Sequence, residues 1–152
     1  MIFSLRKAEI EDLDLTYKIK RNALSEYLEQ LWGWNDEAQY EFHQEHFNPN
    51  NFQLIEISNE PIGYLETTQK GNVLLLLNLM ILKEFQGQRI GKIVLEDLLR
   101  QHFSIKLEVL KVNIRAIRFY ESLGFTILEE MDDAFQMQIC HYECSEAKNV
   151  NY

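Results

Sequence analysis

The stretch from Val73 to Lys92, VLLLLNLMILKEFQGQRIGK, constrains this chain more than any other. From Val73 to Leu82 every residue is apolar except Asn78. Such a run is too short to cross a membrane, and its length fits a strand buried on both faces. Lys83-Glu84-Phe85 then bends the chain into Gln86-Gly87-Gln88-Arg89-Ile90-Gly91. Beyond it Ile90, Val94, Leu95, Leu98 and Leu99 recur at helical spacing, so a helix runs from about Gly87 to Phe103. The unit is strand, glycine loop, helix start. A helix start offers N–H groups without internal partners, and its dipole favours an anion. Gly87 and Gly91 let backbone approach a phosphate closely, and Arg89 and Lys92 add positive charge. The same glycines equally serve an ordinary bend, and the loop alone does not separate the two uses.

Spacing excludes two phosphate loops. A P-loop needs four residues between its glycines and then Lys-Ser/Thr, but three separate Gly87 from Gly91 and Ile93 follows Lys92. The dinucleotide fingerprint G-x-G-x-x-G does not fit either. A net charge of −9 argues against nucleic acid, which needs a basic face, and is compatible with a cationic substrate. At 152 residues the chain is one ordinary domain, expected over 1–144 with a polar tail at 145–152. MIFSLRKAEIED has no apolar core for a signal peptide, no segment approaches a membrane span, and cytoplasm is the default. Cys140 and Cys144 imply no disulfide framework.

In chain order, residues 2–8 form a strand and Glu11-Asp12 open a helix whose apolar face is Leu13, Tyr17, Leu24, Leu28 and Leu31. Gly33 ends it, and Asn35 caps a second helix to about His46. Trp32 and Trp34 either wall a pocket or close the core over a sheet edge. His43 and His46 stand three apart without a matching ligand set, so exposed or capping roles are expected and no metal site is assigned. Phe52–Ile57 and Ile62–Thr68 are strands around a turn at 59–61, and a turn at 70–72 leads into the central run. These make an antiparallel meander. The helix after the glycine loop crosses to a strand at Ile105–Leu110, parallel to the central one. Asn113 caps a further helix ended by Gly124, with Asn113, Ala116, Ile117 and Tyr120 on one face. Gly124–Met131 and Ala134–Tyr142 are closing strands.

Two of these segments resemble signatures of the GNAT N-acetyltransferase superfamily. Gln86 to Gly91 resembles the loop Q/R-x-x-G-x-G/A, with Arg89 where the middle glycine is usual, a departure that suits a helical Arg89 pointing outward. Asn113 to Phe125 resembles N-x-x-A-x-x-F/L-Y-E-x-L-G-F. Together they cover residues 79–125, in the expected order. The resemblance implies an α/β (α+β) fold with a mixed, mostly antiparallel central sheet flanked by helices. In it a splayed parallel strand pair forms the coenzyme A cleft.

It also implies direct acetyl transfer from acetyl-CoA, as co-substrate, to a primary amine, with no metal. Leu79, Met80 and Ile81 would then make the pantetheine contacts and supply an oxyanion donor. Gln86, Gly87, Gln88, Arg89, Ile90, Gly91 and Lys92 would hold the pyrophosphate. Tyr120 matches the family's usual proton donor to sulfur. Asn113 either contacts the cofactor or only caps its helix. Glu108, where some peptide-acetylating members carry a basic glutamate, is a candidate base or a solvated carboxylate. Asn78 can orient an amine or a water but cannot act as a base. The expected partners are acetyl-CoA and an amine, with no nucleic acid or membrane, in a monomer or homodimer. The alternative is a non-catalytic acyl-CoA-binding or regulatory domain. The acceptor is a small amine or a peptide N-terminus, with Glu108 and the E-S-L-G-F ending leaning toward peptides. Its identity lies mainly in Tyr27–Phe47.

Overall fold

A computed structural model describes residues 3–140. The expected strand end at Tyr142, Cys144 and the 145–152 tail lie outside the described residues. The strands are β1 (Ser4–Lys7), β2 (Phe52–Ile57), β3 (Glu60–Lys70), β4 (Val73–Ile81), β5 (Ser104–Leu110), β6 (Thr126–Glu130) and β7 (Ala134–Cys140). The α-helices are α1 (Leu13–Leu31), α2 (Asp36–His46), α3 (Ile90–Gln101) and α4 (Ile114–Ser122). The sheet order is β1-β2-β3-β4-β5-β7-β6. The β4–β5 pair is parallel, and β1–β2, β2–β3, β5–β7 and β6–β7 are antiparallel. This is the mixed, mostly antiparallel sheet that the motif order implies. None of the described helices is long and apolar enough to cross a membrane.

Contacts divide the chain into two compact units, Met1–Thr67 with Asn78–Gly91, and Thr68–Leu77 with Lys92 onward. In the first, Ser58 and Asn59 take positive φ (52° and 64°), the signature of a two-residue hairpin turn whose twist matches its strands. The turn therefore sits one residue earlier than expected, and β3 begins at Glu60. The helix α1 buries Thr16, Tyr17, Ile19, Lys20 and Ala23, a stripe rotated from the leucine face read off the sequence. The small Ala23 and the branched Ile19 pack with Phe52, Leu54, Tyr64 and Met80, while Leu24 is only partly buried beside them. Gly33 ends the helix at φ 78°, and Asn35 Oδ1 accepts from Ala38 N–H at 2.9 Å to cap α2.

In the second unit the β4–β5 ladder runs from Val73↔Ser104 to Leu76↔Leu107. Each strand continues past it, to Ile81 and to Leu110. Alternation on β5 buries Ile105, Leu107 and Val109 and leaves Glu108 exposed. On α3, Val94, Leu95 and Leu98 form the buried stripe. The expectation that β4 is buried on both faces fails. Leu74, Leu76 and Met80 are buried, whereas on the other face Val73, Leu75, Leu79 and Ile81 are only half-buried and Leu77 is 46 % exposed.

Candidate functional site

The end of β4 and the loop after it carry most of the assigned cofactor residues. Met80 is buried, and Leu79 and Ile81 on either side of it are partly exposed. At Gly63 of β3 an added Cβ would clash with the Met80 carbonyl oxygen and lie 3.2 Å from Ile81 Cα. Only glycine allows β3 so close to this part of β4. Leu82 N–H donates to the Ile62 carbonyl at 2.9 Å, and Gln86 Nε2 donates to the Ile81 carbonyl at 2.8 Å. Gln86 thus ties the loop back onto the strand it leaves.

The loop itself differs from expectation at Arg89. It is not helical: α3 begins at Ile90, and Arg89 takes φ 66°, as Gly87 takes φ 78°. Two backbone reversals lie within three residues, one of them on a side chain that tolerates it poorly. Arg89 is exposed, so its guanidinium stands in solvent at the start of α3. Ile90 is 3 % exposed and anchors the first turn. The unpaired first-turn N–H groups of α3, with Arg89 before them and Lys92 within them, form a donor set suited to a phosphate anion. Lys92 lies 3.9 Å from Glu96 across one helical turn, an exposed pair too weak to hold it away from an anion. Gln88 donates through Nε2 to the Glu84 carbonyl at 3.2 Å.

In the second unit Asn113 caps α4, its Oδ1 accepting from Ala116 N–H at 3.1 Å. The capping role is therefore real, and the amide nitrogen is left over for other use. Tyr120, further along α4, is 9 % exposed and packs against Phe119 and Phe125, with ring centroids 5.3 and 5.5 Å away. Burial pushes its phenol up to about 12. Among the described residues no group hydrogen-bonds its hydroxyl. Glu108 faces solvent on β5, opposite Gln136 in the β7 register.

Sequence reasoning missed a polar cluster in the first unit. Asn78 Nδ2 donates to Glu66 Oε1 at 2.7 Å. Burial raises the Glu66 pKa, while the Asn78 donor and the positive fields of Lys20 and His46 draw it back. Lys20 is 9 % exposed, and burial lowers its pKa against the pull of Glu66. Its ammonium lies 5.2 Å from the Phe42 ring centroid. His43, expected to be exposed or capping, is a core residue at 5 % exposure. Thr16 donates its hydroxyl proton to the Leu13 carbonyl, so His43 Nε2 donates to Thr16 Oγ1 at 2.8 Å. Burial, with Lys20 nearby, depresses its pKa to about 4 and keeps it neutral. Trp32 is 64 % exposed, and Trp34 donates to Asp36 Oδ1 at 3.3 Å. Nothing in the sequence pattern flags Glu66, whose partner lies twelve residues away across a strand register.

Comparison with known proteins agrees with the fold. The fold resembles PaiA N-acetyltransferase from Thermoplasma acidophilum, solved with coenzyme A, at TM-score 0.76 and 20 % identity, covering 93 % of this chain and 100 % of that one. An acetyltransferase from Thermus thermophilus gives TM-score 0.74 at 19 % identity, covering 92 % and 97 %. The ribosomal-protein-S18-alanine N-acetyltransferase from Escherichia coli gives 0.68 at 21 %, covering 91 % and 94 %. No curated protein matches the chain by sequence. The sequence profile of the acetyltransferase (GNAT) family matches residues 16–125, which contain both signatures. This chain belongs to the GNAT acetyltransferase family.

Proposed function

We propose that the chain is an acetyl-CoA-dependent N-acetyltransferase acting on a primary amine, as a single domain over residues 1–144. The observation that carries the reading is Tyr120. Its hydroxyl is protonated across any working pH, unbonded to any described residue, and on the α4 face that Asn113 begins. When bound, acetyl-CoA supplies the thioester. N–H groups of Leu79, Met80 and Ile81 polarise the carbonyl, and the loop from Gln86 to Lys92 holds the pyrophosphate. Glu108 first draws the ammonium proton through water, so that the amine attacks the carbonyl carbon neutral. As the C–S bond breaks Tyr120 gives its proton to sulfur, and the second proton shed by the new amide nitrogen restores the phenol.

The test is thiol release from acetyl-CoA with a panel of primary amines. Tyr120→Phe lowers kcat by about 100-fold, the low end of acid–base contributions, with acetyl-CoA affinity unchanged. Glu108→Gln flattens the rise of rate with pH. Acetyl-CoA binding without turnover of any amine or peptide would instead favour an acyl-CoA-binding domain.

A further inference from the structure

Glu66 on β3 is a half-buried carboxylate with most of its bonding capacity unspent. A carboxylate offers about four lone-pair sites, and those that no protein donor fills here are open to solvent or to a ligand. Asn78 fills one of them at 2.7 Å. Among the described residues no other hydrogen bond or ion pair reaches Glu66. Lys20 on α1 acts on Glu66 through its field, yet among the described residues its ammonium makes no ion pair and lies instead over Phe42. Phe42 is 54 % exposed and stacks on His46 at 4.1 Å between centroids. The open Glu66 oxygen on β3 with its Asn78 amide from β4, and the exposed Phe42–His46 pair on α2, are linked through Lys20, whose field acts on Glu66 and whose ammonium lies over Phe42.

Their place on β4 matters. Asn78 immediately precedes Leu79, the first of the three residues assigned to the thioester end of the cofactor. An ammonium held by the open Glu66 oxygen is thus held next to the strand residues that polarise the carbonyl. We propose that Glu66, fixed by Asn78, docks the ammonium of the acceptor, and that the acceptor is a singly charged amine with a flat apolar body. The inference rests on the acetyltransferase reading. Its specificity follows from the surrounding charges. A carboxylate only accepts hydrogen bonds, so it selects a donor cation. Lys20 repels a second positive charge, and the Phe42–His46 pair offers a stacking surface.

Docking requires ionised Glu66. Burial raises its pKa, so the dock is lost at a higher pH than for an ordinary carboxylate. The groups facing it are Lys20 from α1, His46 from α2 and Asn78 from β4, with Tyr64 on its own strand.

The experiment measures thiol release with tyramine and with cadaverine, alongside acetyl-CoA titration and Tm for each variant. Wild type turns over tyramine in preference to cadaverine, and its KM for tyramine rises as pH falls. Glu66→Gln, close in shape, raises that KM by about 10-fold or more, as loss of a charged hydrogen bond does, and removes its pH dependence. Acetyl-CoA affinity stays within about twofold, since no assigned cofactor contact is touched. Lys20→Met narrows the preference for tyramine over cadaverine. A Glu66→Gln protein with lowered Tm but unchanged KM would make Glu66 a structural carboxylate and overturn the proposal. So would a wild type that binds acetyl-CoA but turns over neither amine. Failure to bind acetyl-CoA at all would be seen without any amine, and marks failure of the acetyltransferase reading instead.

Discussion

Arg89 sits in a backbone conformation that glycine adopts freely and arginine does not. A left-handed residue with a Cβ costs roughly 1–2 kcal/mol, and a branched one clashes most. Arginine already bears that cost, so Arg89→Val destabilises the chain in chemical denaturation only by the added clash of its branched Cβ, while Arg89→Gly relieves the left-handed cost and does not destabilise it. Equal stability of the two variants would mean that the loop does not need φ 66° here. The sequence showed the departure from glycine but not its backbone. A lone arginine after Gln88 reads as the first helical residue as easily as the last loop residue. The difference between them is set by where Ile90 finds its buried site.

At the scale of elements, the approach of β3 to β4 decides how the residues assigned to the thioester are presented. Gly63 has ordinary φ, so its constraint is contact with Met80 and Ile81, not backbone freedom. Gly63→Ala forces a shift at Met80 and Ile81, with a stability loss of about 1–3 kcal/mol and weaker acetyl-CoA binding. Gly71 makes a useful comparison: it takes φ 60° with nothing within 4 Å of an added Cβ. Gly71→Ala strains a turn and leaves acetyl-CoA affinity alone. Equal affinity in both variants would show that β4 absorbs the Gly63 clash without moving its Met80–Ile81 end. Most elements were legible because their signals are local. Gly33 and Gly124 stop helices, and Asn35 and Asn113 start them. The α1 face was not, because leucines at helical spacing compete with Ile19 and Ala23, and the facing strands decide.

For the whole molecule, two short signatures sufficed for the family because their spacing places one on the β4–α3 loop and the other on α4. The same logic could not find Glu66, since its meaning arises only from register with Asn78 and from the helices that bring Lys20 and His46 near it. The residues assigned to the cofactor follow the chain, whereas those proposed for the acceptor gather from separate elements. The central claim is that this chain binds acetyl-CoA, and isothermal titration of the purified protein with acetyl-CoA, and separately with coenzyme A, tests it most directly. The account predicts one site per chain with a Kd of about 1–100 μM, roughly −8 to −5 kcal/mol, weakening as salt screens Arg89 and Lys92. No heat of binding from either ligand at millimolar concentration would contradict it.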